Sequence, residues 1–335
     1  MITVLAGRLD VRNRIFSVEE VPTPRPGPGE VLVKVEAAGV CLSDVHLIDG
    51  TLTPRHLRGG TVTLGHETAG VVAEPGGGVT RWQRGRRVLL QAGEERDGAV
   101  WTRGVDYDGG WAEYAVATES TLVEIPDDLP FEQAAIIPDA VSTPWAAITA
   151  TARVEPARPA GVWGAGGLGA HAVQLLRLVG AVPVVAVDPA PGARERALAF
   201  GADAVFSPDD PELAARVREA AGGGLAAAFD FAGVPEVREQ AVGCLGRGGR
   251  LVLVGLTDRP LTISDGTAFS YFQQQVLGHY GSSDEHVEQL VALVRGHRLE
   301  FSRSVGGVLP LAEAREAVDR LLRGRDNPVR LVLRP

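Results

Sequence analysis

Lysine is nearly missing from this sequence of 335 residues: Lys34 is the only one, and the other basic charges are arginines scattered along the chain. A net charge of −9 without a basic stripe argues against nucleic acid as a partner, because gripping phosphate backbones takes clustered cations. Cysteine is almost as scarce. Cys41 and Cys244 lie far apart, and two cysteines cannot build a disulfide framework in a chain of this size. No apolar run approaches the roughly 20 residues that a membrane span needs, so no membrane association is expected. The start, Met1 to Leu9, has neither a basic segment with a long apolar core nor a cleavage site, and the cytoplasm is the compartment expected.

What is present, 45% hydrophobic and 22% charged residues, fits a globular protein, and the length favours about two domains. Glu30 to Ala38 alternates apolar and polar residues after the Pro/Gly-rich stretch Pro22 to Gly29, which predicts a strand after a turn. Further β-like runs at Thr68 to Ala73, Arg87 to Gln91 and Trp111 to Val116 make the first part of the chain mostly β. After Pro144 strands alternate with helices: Gly161 to Trp163, a helical stretch with Gly169, Ala172, Val173 and Leu176 on one face, Val182 to Asp188, Arg194 to Phe200, Ala226 to Phe231 and Gly249 to Gly255. That alternation predicts a doubly wound parallel sheet. Helices at Asp284 to Arg295 and Leu311 to Arg323 and a last strand at Val329 to Leu333 complete the chain.

Gly164-Ala165-Gly166-Gly167-Leu168-Gly169 fits G-x-G-x-x-G between a predicted strand and helix. Glycines there allow the tight turn and let a pyrophosphate approach the helix N-terminus. Asp188 ends the next predicted strand, where a carboxylate would receive the ribose hydroxyls of NAD and repel the 2′-phosphate of NADP. Arg194 and Arg196 stand close enough to weigh on that preference.

Cys41-Leu42-Ser43-Asp44-Val45-His46 follows the first strong strand, and Gly65-His66-Glu67 comes between β-like runs further on. Thiolate and imidazole are preferred zinc ligands, and a catalytic zinc takes three protein donors and keeps one position open. The third donor is Asp139, whose carboxylate sits in the apolar segment Ala134 to Val141 where a metal would offset its charge, or Glu67, which competes with it.

With these segments in view, the chain resembles the zinc-containing medium-chain dehydrogenase/reductase family over essentially its full length. The matching segments are Gly39 to Asp44, Gly65-His66-Glu67 with Gly70, Gly109 to Tyr114, Gly164 to Gly169 and Val329 to Val332. The resemblance implies an α/β fold of two parts: a mostly β GroES-like catalytic domain, 1–140 and 280–335, and a Rossmann domain with a doubly wound parallel sheet, 141–279. It also implies one catalytic zinc held by Cys41, His66 and Asp139, with Glu67 as alternate ligand, and Asp44 orienting His66. Aspartate in the third place looks like the secondary-alcohol branch of the family. NAD would lie against Thr143, on Gly164, Gly166, Gly167, Leu168 and Gly169, at Asp188, and near Arg330 through its pyrophosphate. The family's second, structural zinc is not expected, because Gln91 to Tyr107 holds no cysteine.

The activity implied is hydride transfer between a small alcohol and NAD, giving an aldehyde or ketone. Zinc would act as Lewis acid. Ser43 would take the alcohol proton, the cofactor ribose would pass it on, and His46 would deliver it to solvent. Trp111 matches a position that lines the substrate pocket in relatives, and core packing is the equal alternative for it. The implied assembly is a homodimer or homotetramer. Two rival readings remain: a zinc-free quinone or enoyl reductase of the same fold, against which the Cys/His pair stands, and a non-catalytic NAD-binding protein, against which Ser43 and His46 stand.

Overall fold

The computed structural model describes residues 2–324 and 328–335, and every statement of structure below concerns those residues. The chain divides into two compact units, Met1–Ser142 with Gly281–Pro335, and Thr143–Tyr280. The architecture is the mixed α/β one expected, a parallel nucleotide-type sheet in one unit and a mostly β arrangement of two sheets and a hairpin in the other.

In the first unit the alternation of Glu30–Val40 makes it the central strand. Tyr114–Thr118, Thr68–Pro75 and Arg330–Arg334 all pair with it antiparallel, and Arg87–Leu90 and Leu122–Glu124 extend the sheet beyond Thr68–Pro75. The last strand of the chain is thus brought against the first long one, with Leu331 opposite Val40. A second sheet, Ile15–Pro22, Thr3–Asp10 and Thr61–Thr63, and a hairpin of Gly93–Arg96 with Ala99–Thr102 complete the β structure. Val31, Val33 and Val35 from one face of the central strand pack with Leu64, Val88, Leu90, Trp111 and Leu333 in a single buried cluster.

Trp111 differs from its expected place in a strand. Regular pairing begins only at Tyr114, and Trp111 is wholly buried, with its indole N–H donating to the Gly39 carbonyl at 2.9 Å and its ring edge-on to Phe16 at 5.8 Å. Core packing, not a pocket wall, is therefore its environment.

The second unit holds six parallel strands in the order Ala204–Phe206, Val184–Val187, Ala160–Trp163, Leu225–Asp230, Leu245–Leu253, Gln275–Gly278. Sequence order reverses direction at Ala160–Trp163, and its carboxyl end is the switch point where such sheets bind ligands. The inner strands read as continuous apolar runs because helices such as Gly167–Leu178 and Pro235–Cys244 cover them. Cys244 is buried in this core and its thiol is pushed up to about 12 by burial, which keeps it an unreactive small hydrophobe.

Candidate active site

The central strand ends at Val40, and Cys41 takes an extended conformation (φ −106°, ψ 155°) as the cap of a short helix, Leu42–Asp49. What starts that helix is Asp44, whose Oδ2 accepts the Cys41 N–H at 2.9 Å. Gly50, with φ 92°, ends it by donating its N–H to the His46 carbonyl at 3.1 Å. Eight residues with only Asp44, Val45 and Leu47 buried leave too little periodicity for the sequence to announce this helix.

Gly65 turns the chain into His66 with φ +95°; a side chain there would meet the Trp111 indole at 2.2 Å, so both the conformation and the space require glycine. His66 is buried between two carboxylates. Its Nδ1 lies 3.6 Å from Asp44 Oδ1 and its Nε2 3.4 Å from Asp139 Oδ2. Burial works against a charge on this imidazole, but Asp44 and Asp139 outweigh it and hold the ring well above the usual histidine range. Asp44 is itself pushed up by burial, opposed by His66 and by the N–H groups of Cys41 and Gly65.

Asp139 comes from Ile137–Val141, a single wide π turn between the helices Phe131–Ala135 and Ser142–Ala146. Such a turn re-aims one side chain out of an otherwise apolar run. Its Oδ2 accepts from the Cys41 thiol at 3.3 Å. The ligand atoms of Cys41, His66, Glu67 and Asp139 all lie within 4.8 Å of one another, so the structure brings the four residues into one cluster.

Glu67 is fully buried behind the others, against Gly39, where a methyl group would come within 1.9 Å of its Oε2. Its Oε1 accepts the Ala140 N–H at 3.1 Å and lies 2.8 Å from Arg330 Nη2. Burial and Asp139 push the Glu67 carboxyl up while Arg330 pulls it down. The same guanidinium is 3.6 Å from Asp139 and donates to the Val40 carbonyl at 3.4 Å. Arg330 was expected at a pyrophosphate; within its own unit it stands in this cluster as the cation beside one buried carboxylate, Glu67, and one half-buried, Asp139. Its pairing with Glu67 spans nearly the whole chain and follows from the terminal strand lying against the central one, which no local motif reports.

Ser43 and His46 share the Leu42–Asp49 helix three residues apart, hence one face. Ser43 Oγ lies 3.3 Å from His66 Nε2, at the cluster, and His46 is half-buried.

In the second unit, Gly164 follows Ala160–Trp163 with φ +89° and the helix Gly167–Leu178 starts beside it. A side chain on Gly169 would meet the Gly164 carbonyl at 1.8 Å, which is the close strand-to-helix packing this loop needs. Asp188 lies just past Val184–Val187 and reaches the loop: Oδ2 accepts the Ala165 N–H at 2.8 Å and Oδ1 the Ala190 N–H at 2.9 Å. Arg194 donates to the carbonyls of Asp188 and Pro189, and Arg196 to that of Ala165. Both arginines are thus tied to main-chain oxygens around Asp188. Thr143 is buried, with its carbonyl 3.1 Å from His279 Nε2.

Comparison with known proteins agrees with both halves. Residues 27–127 match the alcohol dehydrogenase GroES-like domain and residues 167–296 the zinc-binding dehydrogenase domain. The chain is 32% identical over 362 residues to the NDMA-dependent alcohol dehydrogenase of Amycolatopsis methanolica, covering 96% of each chain. Its structure is similar to that of 2R,3R-butanediol dehydrogenase from Bacillus subtilis, with TM-score 0.91, 25% identity and 99% of each chain covered. A structure from Sinorhizobium meliloti 1021 that carries bound NADP matches with TM-score 0.90 and 26% identity over 100% of each chain.

Proposed function

Because the chain belongs to the zinc-binding alcohol dehydrogenases of the medium-chain dehydrogenase/reductase family, an oxidoreductase family using NAD or NADP, we propose that it is a zinc-dependent, NAD-linked dehydrogenase of alcohols. The observation that carries this reading is the convergence of Cys41, His66 and Asp139, with Glu67 behind, on one point. The donor set fits zinc. One thiol, one imidazole and a carboxylate are zinc donors, and among the described residues Arg330 is the guanidinium beside Glu67 and Asp139, so a divalent cation displacing the His66 proton would redress the charge. Asp139 is the better third ligand, because its Oδ2 already touches the other two donors while Glu67 Oε1 is engaged by Arg330 and Ala140.

Held by Cys41, His66 and Asp139, zinc would supply Lewis-acid polarisation of the alcohol oxygen, and NAD would supply the hydride acceptor. The protein's own groups do the rest. Asp44 holds the His66 ring with Nδ1 turned inward and Nε2 facing the cluster, and the Cys41 cap fixes the thiol at the mouth of the Leu42–Asp49 helix. Ser43, in contact with His66 Nε2, would receive the alcohol proton, the ribose of the bound cofactor would carry it on, and His46 on the same helix face would pass it to solvent. Arg330, 2.8 Å from Glu67 Oε1, holds this residue back from the donors and opposes the burial that raises its carboxyl. On the nucleotide side, Thr143, the loop Gly164, Gly166, Gly167, Leu168 and Gly169, and Asp188 are the cofactor contacts we propose, with Arg330 toward the pyrophosphate. Asp188 favours NAD: a buried carboxylate fixed by two N–H groups repels a 2′-phosphate, and Arg194 and Arg196 are spent on carbonyls.

The test is a panel of primary and secondary alcohols, each offered with NAD and with NADP and followed by absorbance of the reduced nicotinamide. Turnover of secondary alcohols with NAD preferred supports the reading. Reduction of quinones or enones with no alcohol oxidation would replace it by the zinc-free alternative.

A further inference from the structure

The π turn that carries Asp139 departs from helical register at its end. In an ordinary helix the Ser142 N–H would bond the carbonyl four residues back, which is that of Pro138. Here it passes over that carbonyl to those of Ile137 and Asp139, and the Ser142 hydroxyl donates to the Pro138 carbonyl instead, at 2.6 Å. Ser142 is wholly buried, and Pro138 is buried with it. With its one proton committed to Pro138, the Ser142 oxygen is left as an acceptor, and the Ser282 hydroxyl donates to it at 2.8 Å. Ser282 stands just before the helix Asp284–Arg295, which packs against the same π turn. These bonds bear on Asp139 because the Pro138 carbonyl belongs to the peptide unit that enters it. The unit that leaves it is held as well, since the Ala140 N–H donates to Glu67 Oε1 at 3.1 Å. Two pinned peptide planes fix φ and ψ at Asp139, and with them the direction of its side chain. A buried carbonyl that loses its donor is costly, so without the Ser142 hydroxyl the entering peptide gains by rotating. That rotation swings Asp139 Oδ2 away from its positions 3.3 Å from the Cys41 thiol and 3.4 Å from His66 Nε2.

We propose that Ser142 and Ser282 are positioning residues for the metal: their paired hydroxyls, acting through the Pro138 carbonyl, hold Asp139 in place as the third zinc donor. This role rests on the reading of Cys41, His66 and Asp139 as a zinc site. Competition with a chromophoric chelator gives the zinc affinity of the wild-type protein, Ser142→Ala, Ser282→Ala, Asp139→Asn and each serine variant combined with Asp139→Asn. Asp139→Asn is expected to weaken zinc, because a donor carboxylate is lost. Ser142→Ala is expected to weaken it about 10-fold, the low end for loss of a group that orients a ligand. Ser282→Ala should cost at least about 2-fold, the low end for one neutral hydrogen bond, since Pro138 keeps its own donor. In the Asp139→Asn background neither serine variant should weaken zinc further, because the hydroxyls act only through that carboxylate. Serines that merely support the fold would lower stability in urea and cost the same zinc affinity in both backgrounds. Wild-type zinc affinity in Asp139→Asn would overturn the zinc reading at Asp139 and the positioning role with it. Weakened zinc in Asp139→Asn together with wild-type affinity in Ser142→Ala, or an equal loss in the two backgrounds, would overturn the positioning role alone. Ser282 is only half-buried, so its cycle carries the test even if Ser142→Ala fails to fold, and wild-type affinity in Ser282→Ala would then overturn the role.

Discussion

Replacing Asp44 by asparagine separates two jobs that one carboxylate performs. Asp44 is wholly buried; Oδ2 caps the helix through the Cys41 N–H at 2.9 Å, and Oδ1 faces His66 Nδ1 at 3.6 Å. An asparagine of the same shape turns its amide oxygen to the Cys41 N–H and so keeps the cap. Its NH2 then faces the imidazole N–H, donor against donor, and the negative charge that strengthens the ring as a ligand is gone. Losing such a partner typically weakens metal binding about 10- to 100-fold, equivalent to about 1.4–2.7 kcal/mol. Asp44→Ala loses the cap as well, adding about 1 kcal/mol of destabilisation. Zinc affinity measured by competition with a chromophoric chelator, together with urea unfolding of the metal-stripped proteins, resolves the two effects. Both variants should bind zinc more weakly, and alanine alone should show the extra loss of stability. Wild-type zinc affinity in Asp44→Asn would refute the view that Asp44 acts through His66.

Trp111→Phe removes the hydrogen bond to the Gly39 carbonyl and leaves that oxygen buried, so it should cost about 1–3 kcal/mol in urea unfolding while leaving the order of preference among alcohols unchanged. In metal-stripped protein, Asp44, Glu67 and His66 all have raised proton affinity, so the folded state holds more protons than the unfolded chain; stability should therefore fall as pH rises from about 4.5, where Glu67 ionises in the unfolded chain, through about 8 and the raised His66 range, which calorimetry at a series of pH values checks. His46→Gln should leave zinc content and NAD affinity near wild type but slow alcohol oxidation about 10-fold near neutral pH, with the loss shrinking at higher pH as hydroxide takes the proton; an unchanged pH profile with full zinc would remove His46 from the relay. Asp188→Ser should shift the ratio of kcat/KM toward NADP, and it should also loosen the glycine loop because the Ala165 and Ala190 N–H groups lose their acceptor.

Those features were legible in the sequence where chemistry is local. The glycine loop and Asp188 announce themselves because tight turns and strand ends demand particular residues at fixed spacing. Cys41 and His66 stood out as rare donors beside strands, and Asp139 as a carboxylate in an apolar run, which the structure explains by a π turn aimed at the other donors. What did not show was anything set by long-range strand pairing. Arg330 meets Glu67 only because Arg330–Arg334 lies against Glu30–Val40, and Trp111 is sealed in the core by contacts with Phe16 and Gly39. The helix Leu42–Asp49 was also invisible, being eight residues long and started by a side-chain cap rather than by an apolar stripe. Ser142 and Ser282 carried no signal either, since the hydrogen bond that joins them spans 140 residues.

The most direct test of a zinc-dependent dehydrogenase at Cys41, His66 and Asp139 is to strip the pure protein with a chelator, add zinc back stepwise, and measure NAD-linked alcohol oxidation against bound zinc on the same samples. Activity should be lost on stripping and should rise in proportion to zinc, reaching its plateau at about one zinc per chain, the occupancy of a single catalytic site. Full turnover in the stripped protein, or a plateau reached only at a second tightly bound zinc, would contradict it.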